Sequence, residues 1–182
     1  MKSVRASGRY ERAIDTVADL LTRLRLDFAF VGSVARSAWL GSRVEGGSID
    51  VLALMGPQQK SQVAMMGSNR GFRVDRDEIE RTEELDLIPL HFGDAEGEVP
   101  VYVLVGSNAL YGRMVPGSVP ATAGEREIRI AAAEDLALLL AVADDAASHR
   151  DREMLIRLPE FDRRAYNGRL TSIGLAHLVI AE

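Results

Sequence analysis

Apolar residues recur at helical spacing near the start of the chain. Between Ser7 and Leu26 they form one stripe, made up of Ala13, Ile14, Val17, Leu20, Leu21 and Leu24. This spacing predicts an opening amphipathic helix. A short apolar run, Phe28 to Val31, is followed by Gly32 and Ser33 and then by the alanine-rich segment 34–40. That order is typical of a strand, a tight turn and a second helix.

Longer apolar runs predict strands in the middle of the chain. The run from Ile49 to Met55 is apolar except for Asp50, which indicates a buried strand. Two further runs, Leu85 to Phe92 and Val99 to Val105, flank a polar loop and predict a β-hairpin. The remaining segments before residue 131 are predicted as a helix over 58–68, a strand over 72–74, an acidic turn or helix over 77–84, an irregular stretch over 106–124 and a strand over 127–130.

The last third of the sequence predicts helices. Residues 131–147 are rich in alanine and leucine and begin with Glu134 and Asp135, which suit a helix N-terminus. Further helices are predicted over 151–158 and 161–173, separated by Pro159. We therefore expect an α/β (α+β) fold, with a mixed sheet flanked by helices over 1–130 and a helical extension over 131–182 packed on it.

Composition narrows the chemistry. The 182 residues include no cysteine, so any metal must be held by oxygen or histidine. The three histidines, His91, His149 and His177, are too far apart to suggest a zinc motif. A net charge of −5 argues against a general nucleic-acid coat. No apolar run is long enough to span a membrane and no signal peptide opens the sequence, so we expect a cytoplasmic protein.

The Gly32-Ser33 turn is a candidate phosphate site. A turn between a strand and a helix exposes backbone N–H groups at the helix N-terminus, where the helix dipole favours an anion. The alternative is that glycine serves only the turn itself. Arginines near the start of the chain, among them Arg5, Arg9 and Arg12, have two interpretations: a phosphate-facing patch, or a solvated helix face. Acids interleaved with them at helical spacing favour the solvated face.

Two aspartates in apolar surroundings are candidate metal ligands. Asp50 and Asp86 each lie within an apolar run, and a buried carboxylate normally has a partner or a metal. If their strands are adjacent, the two carboxylates converge on one magnesium ion. Alternatively, both lie at strand ends in water or pair with Arg36 or Arg43.

These residues carry a family resemblance. The segment 31–36 (VGSVAR) followed by 48–51 (SIDV) resembles the Gly-Ser turn and Asp-x-Asp strand of the DNA polymerase β-like nucleotidyltransferases. More narrowly, it resembles the small AbiEii-like and minimal nucleotidyltransferases of bacterial toxin–antitoxin and phage-defence systems. Segment 85–90 resembles their third-carboxylate strand, 99–105 the strand after it, and 133–136 the start of their C-terminal helices.

The resemblance implies a set of roles. Gly32 and Ser33 would hold the triphosphate of an NTP, with Arg36 and Ser48 beside it. Asp50 and Asp86 would bind Mg²⁺, and Asp86 would also be the base for an attacking hydroxyl of an RNA or protein acceptor. A small protein partner is a further expectation of the family, whereas the sequence leaves the oligomeric state open.

The sequence departs from that pattern at a position that is important for binding magnesium. Ser48 stands where the first carboxylate of Asp-x-Asp belongs, and a neutral hydroxyl is a poor magnesium ligand. Glu45 and Glu84 are nearby acids, but neither is a convincing replacement. The lysine that relatives often carry after Glu134 is also absent. Two functions therefore stay open: nucleotide transfer, or a catalytically inactive binding or regulatory protein of this fold.

Overall fold

The structure is a computed structural model that describes residues 1–82, 85–95, 97–143 and 145–181, with the backbone alone at residues 76 and 94. It divides into two compact units, Met1–Ala131 and Ala132–Glu182. The first unit is a mixed α/β structure and the second is helical. No helix in the described ranges has the length and apolarity needed to cross a membrane.

In the described residues, the first unit contains nine strands and five α-helices, which are numbered along the chain. Its strands are β1 (Lys2–Ala6), β2 (Asp27–Phe30), β3 (Arg43–Val44), β4 (Ile49–Leu54), β5 (Phe72–Arg73), β6 (Leu87–Asp94), β7 (Gly97–Val105), β8 (Val119–Ala123) and β9 (Arg126–Ile130). Its helices are α1 (Gly8–Arg23), α2 (Gly32–Leu40), α3 (Pro57–Ser68), α4 (Arg76–Thr82) and α5 (Ala109–Met114).

The strands form one mixed sheet with the order β3-β1-β8-β9-β2-β4-β7-β6-β5. Strand β4 runs antiparallel to β2 and parallel to β7. The hairpin of β6 and β7 pairs over its whole length, from Leu87 opposite Leu104 to Asp94 opposite Gly97. Because β7 borders β4, β6 is separated from β4 by one strand. The two edge strands, β3 and β5, contribute two residues each.

Strand alternation divides the central sheet into two faces. Val51, Val101 and Val103 are fully buried on one face. Helices α1 and α3 cover this face, as the approach of Gly67 to Leu20 and Leu90 shows. Asp50 and its cross-strand neighbour Tyr102 belong to the opposite face, where the residues of β7 are only half-buried. The carboxylate is therefore kept out of the main apolar layer.

The structure confirms the predicted mixed α/β class, the buried strand around Asp50 and the β6–β7 hairpin. Other predictions were wrong in detail. Strands β1 and β8 had not been expected, since Lys2–Ala6 buries only Val4 and Val119–Ala123 contains Pro120. Helix α5 also lies within the stretch predicted to be irregular. The strand predicted to begin at Leu85 begins at Leu87 instead.

The second unit consists of α6 (Ala133–Ala143), α7 (Ala146–Ile156) and α8 (Arg163–Ser172), followed by a 3-10 turn at Ala176–Leu178. The single helix predicted over 131–147 is thus two helices, because Asp145 begins a new one by accepting hydrogen bonds from the N–H groups of Ala147 and Ser148. Asp135, on α6, is buried and paired with Arg169 of α8, with 2.7 Å between Oδ1 and Nη1.

Candidate functional site

The turn between β2 and α2 is built around Gly32. This residue has φ of +51°, in the left-handed region that favours glycine. A Cβ at position 32 would lie 2.4 Å from Oδ2 of Asp50, which is closer than real Cβ atoms approach other atoms. Both the backbone conformation and the lack of space therefore require glycine. The carboxylate of Asp50 lies directly against the N-terminus of α2.

Short hydrogen bonds fix Asp50 in this position. The Ser48 hydroxyl donates to Oδ1 of Asp50 over 2.9 Å, and the Ser33 hydroxyl donates to the Ser48 carbonyl over 2.8 Å. The Val31 N–H donates to the Asp50 carbonyl over 2.9 Å. The two serines that the sequence singled out thus join the turn to the start of β4. Burial raises the pKa of Asp50, and the hydrogen bond from Ser48 only partly opposes this rise.

Among the residues that the structure describes, no acid of the strands flanking Asp50 is in register with it. Tyr102 of β7 is its register partner, and Pro89 of β6 is the partner of Tyr102. On the other side, Val31 at the end of β2 is hydrogen-bonded to it. Among the described residues, no three His, Cys, Asp or Glu side chains are grouped so that they could hold a metal ion.

The structure does not bring Asp86 to Asp50, which corrects the prediction that the two carboxylates converge. Asp86 precedes β6 and its carbonyl accepts a hydrogen bond from the Val105 N–H, whereas Asp50 is in register with Tyr102. Three residues of strand separate these two levels, about 10 Å, and β6 and β4 are two strand spacings apart. Asp50 lies where β4 begins and Asp86 lies at the level where β4 ends, because β7 runs parallel to β4 and β6 runs antiparallel to β7.

Asp86 is engaged in contacts of its own. It has φ of +53°, which is unusual for a residue other than glycine. Lys60 of α3 donates to Oδ1, and the Ser107 hydroxyl donates to Oδ2 over 2.5 Å. The hydrogen bond from Lys60 and then that from Ser107 hold the pKa of Asp86 below its ordinary value. Asp86 therefore connects α3, β6 and the loop after β7.

The remaining sequence candidates are placed as follows. Arg36 is half-buried and lies one helical turn after Gly32 on α2. Glu45 is exposed and lies 3.7 Å from Arg43, so it forms a surface ion pair beyond the site. Glu84 lies outside the described residues. Tyr102 was missed by the sequence analysis, although valine alternates with other residues in 99–105 and this pattern places Tyr102 on the face opposite to the valines.

The N–H groups and carboxylate at the Gly32 turn determine which ligands the site can hold. The first N–H groups of α2 have no partner within the helix and suit a phosphate. Mg²⁺ is commonly bound by one or two carboxylates together with substrate phosphates, so Asp50 fits one such ion. A second ion held by the protein does not fit, because Ser48 is neutral and Tyr102 and Pro89 occupy the nearest positions across the sheet.

Comparison with solved structures shows what the fold resembles. An antigenic nucleotidyltransferase-like protein from Paracoccidioides brasiliensis matches with a TM-score of 0.64 at 12% identity, covering 93% of this chain and 88% of that chain. The lincosamide antibiotic adenylyltransferase LnuA, with lincomycin bound, matches with a TM-score of 0.56 at 14% identity over 81% of this chain and 96% of that chain.

A third solved structure, ANT(2″)-Ia in complex with adenylyl-2″-tobramycin, matches with a TM-score of 0.51 at 17% identity, covering 91% of this chain and 90% of that chain. No protein-family model and no curated protein sequence matches the chain. At these identities the likeness concerns the fold. The chain has a nucleotidyltransferase-like fold, as the Gly32 turn and the strand of Asp50 predicted.

Proposed function

We propose that this chain is a nucleotide-binding protein of nucleotidyltransferase-like fold that holds a nucleoside triphosphate with one Mg²⁺ and does not catalyse two-metal nucleotidyl transfer. One observation carries the proposal: the Asp50 carboxylate lies against the Gly32 turn, while its register partner across the sheet is Tyr102 and not an acid. The chain therefore keeps the Gly32-Ser33 turn that would bind phosphate, but it lacks the carboxylate that a second metal ion would need.

Binding would use the residues that surround the turn. The phosphates would accept hydrogen bonds from the N–H groups at the start of α2, while the Ser33 hydroxyl, which donates to the Ser48 carbonyl, would hold the turn in place. Arg36, one turn further along, supplies a positive charge on the same helix. Asp50 would hold the magnesium ion that accompanies the triphosphate, and that ion would neutralise phosphate charge. Ser48 would orient Asp50 through the hydrogen bond to its Oδ1.

A regulatory role follows from binding without turnover. An inactive nucleotide-binding fold can report nucleotide concentration to a partner, which agrees with the resemblance to components of toxin–antitoxin and phage-defence systems. The alternative is nucleotide transfer to an RNA or protein hydroxyl. One specific observation favours it: Asp50 is retained beside the glycine turn in a fold shared with an adenylyltransferase.

Calorimetry with a non-hydrolysable ATP analogue and Mg²⁺ tests the binding claim. We expect binding by the wild type and by Asp86→Ala, since Asp86 lies at the level where β4 ends and not beside Asp50. We expect at least about tenfold weaker binding by Asp50→Ala, since the ion would lose its one protein carboxylate. Absence of wild-type binding, or equal loss in both variants, would contradict the proposal.

Transfer assays separate the two functions. Labelled NTPs should give no covalent product with the wild type and candidate RNA or protein acceptors. Wild-type transfer that is abolished by Asp50→Ala would instead establish the alternative. The double variant Ser48→Asp/Tyr102→Asp tests the cause of inactivity, because it places three carboxylates beside the turn. Its Mn²⁺ binding, followed by electron paramagnetic resonance, should exceed that of the wild type whether or not transfer is regained.

A further inference from the structure

A buried histidine outside the candidate site lies where four elements of the first unit meet. His91 belongs to β6 and has 11% of its side chain exposed. Its Nε2 lies 2.6 Å from Oε2 of Glu78 on α4, and its Nδ1 lies 3.7 Å from Oε2 of Glu98 on β7. Its register partner on β5 is Arg73. One imidazole ring is therefore placed between two carboxylates of different elements.

The charged groups around His91 are mostly acidic. Arg73 donates to both carboxylate oxygens of Glu98, over 3.0 and 3.1 Å, and lies 3.8 Å from Asp75, which precedes α4. The hydrogen bond from Arg73, followed by the positive charge of Arg73, holds the pKa of Glu98 below its ordinary value, so Glu98 stays ionised near neutral pH. With Glu78, three carboxylates face one guanidinium, and a proton on His91 reduces the excess of negative charge.

The protonation state of His91 decides how many of these contacts are favourable. A neutral ring can donate from Nε2 to Glu78, which leaves Nδ1 as an acceptor that faces the Glu98 carboxylate. In the described part of the chain, Nδ1 is buried and has no hydrogen-bond partner. A protonated ring carries a proton on both nitrogens, so each nitrogen faces a carboxylate as a donor. The protonated ring therefore binds Glu78 more strongly than the neutral ring does.

Helix α4 has little apolar burial to hold it on the sheet. None of its described side chains is buried, and Ile79 is half-buried. The Thr82 hydroxyl donates to the Leu87 carbonyl over 3.2 Å. In the residues that the structure describes, β5 pairs only with His91 and Phe92, so α4 and not a strand lies beside the beginning of β6. Elements with few buried apolar contacts open at low free energy, so one strong polar contact can decide how firmly α4 is docked.

We propose that His91 is a pH-dependent latch for α4: the protonated ring holds Glu78 and keeps α4 docked against β6, and loss of the proton loosens α4. The latch depends on the ring nitrogens facing carboxylates of two different elements. Loosening α4 uncovers the beginning of β6, which β5 does not reach. This inference goes beyond the proposed nucleotide binding and stands independently of it.

Hydrogen exchange of the full chain, followed by NMR, tests the latch. Protection factors, which correct each amide for its intrinsic rate, are compared at about pH 5.5 and about pH 7.5, within the range in which histidine ordinarily changes charge. We expect the amides of residues 79–82 to be at least about threefold better protected at the lower pH, because hydrogen bonds to charged groups are stronger than neutral ones. The protection of Val101 and Val103 on β7 should change less, since α4 opens without the rest of the sheet.

Three variants show whether His91 causes the difference. His91→Gln keeps a donor near the position of Nε2 but cannot be protonated, so residues 79–82 should be protected equally at both pH values. Glu78→Gln leaves His91 in place and removes the charge on α4, so most of the difference should disappear. His149→Gln, on the exposed surface of α7, is the matched control and should keep the wild-type difference.

Several outcomes would overturn the proposal. These are equal protection of wild-type α4 at both pH values, a difference that persists in His91→Gln and Glu78→Gln, or a change of the same size in β7. If His91→Gln does not fold, Glu78→Gln decides alone, because it removes the partner of the ring and leaves the ring itself unchanged.

Discussion

The carboxylate of Asp50 fills the space that a side chain at Gly32 would need: a Cβ on Gly32 would lie 2.4 Å from Oδ2 of Asp50. We therefore predict that Gly32→Ala destabilises the fold by two effects together. The left-handed backbone costs about 1–2 kcal/mol for an L-residue, and displacing the half-buried carboxylate of Asp50 adds to this. Urea denaturation of the variant and the wild type gives the total.

A matched variant separates these two effects. Gly41 has a comparable φ of +71° but nothing within 4 Å of its Cβ position. Gly41→Ala should therefore report the backbone cost alone and be clearly less destabilised than Gly32→Ala. In the double variant Gly32→Ala/Asp50→Ala the two losses should be less than additive, because the clash has been removed. Equal effects of the two glycine variants would contradict the crowding that we describe.

The half-buried Asp50 predicts a specific pH dependence. Its pKa is raised above the ordinary 3.8 by burial, so the folded state binds a proton more tightly than the unfolded state. The associated stability is fully present below pH 3.8 and is lost as pH rises through the folded-state pKa. Asp50→Asn should remove this loss and be more stable than the wild type at pH 7.

Denaturation curves from pH 4 to pH 8 check this prediction. The gap between Asp50→Asn and the wild type should widen with pH and then level off once Asp50 is ionised. Ser48→Ala is the matched variant, since it removes the Ser48 hydrogen bond that favours the charged form of Asp50. The free energy of unfolding of Ser48→Ala should therefore fall more steeply with pH than that of the wild type. A constant gap across the range would show that Asp50 does not titrate abnormally.

Asp86 should behave in the opposite direction. Lys60 and Ser107 hold its pKa below 3.8, so its contribution is present above that value and is lost as pH falls through the folded-state pKa. Lys60→Met should move the pKa of Asp86 up toward its ordinary value, and Ser107→Ala should move it less. Carboxyl ¹³C chemical shifts followed by NMR titration measure both changes, and an unmoved Asp86 in Lys60→Met would refute the assignment.

The part of the candidate site that neighbouring segments of the sequence form was predictable, whereas the residue that lies beside Asp50 across the sheet was not. Gly32, Ser33 and Asp50 lie within one strand–turn–helix–strand segment, where glycine conformation and apolar runs decide the structure. The partnership with Asp86 depended instead on which strand of the hairpin borders β4. Pairing within the hairpin depends on residues that are close in the sequence, whereas tertiary packing decides which of its two strands borders β4. The apolar runs 85–92 and 99–105 look alike in the sequence, so they do not reveal that strand. As a result, Tyr102 and not Asp86 lies beside Asp50.

A buried ion pair in the helical unit gives a stability prediction. Asp135 has 1% of its side chain exposed and faces Arg169. Arg169→Met removes the guanidinium that compensates a buried carboxylate and should cost about 3–5 kcal/mol, whereas Arg169→Met/Asp135→Leu should recover most of that loss. The exposed pair Arg157–Glu153 is the matched control, and Arg157→Met should cost less than about 1 kcal/mol. Thermal unfolding compares the four chains, and similar losses at both sites would refute the distinction.

The two-residue strands at either margin of the sheet have a consequence for how the protein behaves in concentrated solution. A foreign strand can lengthen a sheet only where a row of unpaired backbone groups runs on for several residues. At β3 and β5 that row ends almost as soon as it begins. Growth into fibrils through β3 or β5 themselves therefore has almost no template, and a foreign strand would instead have to pair with the part of β6 that β5 does not reach, since β5 pairs only with His91 and Phe92.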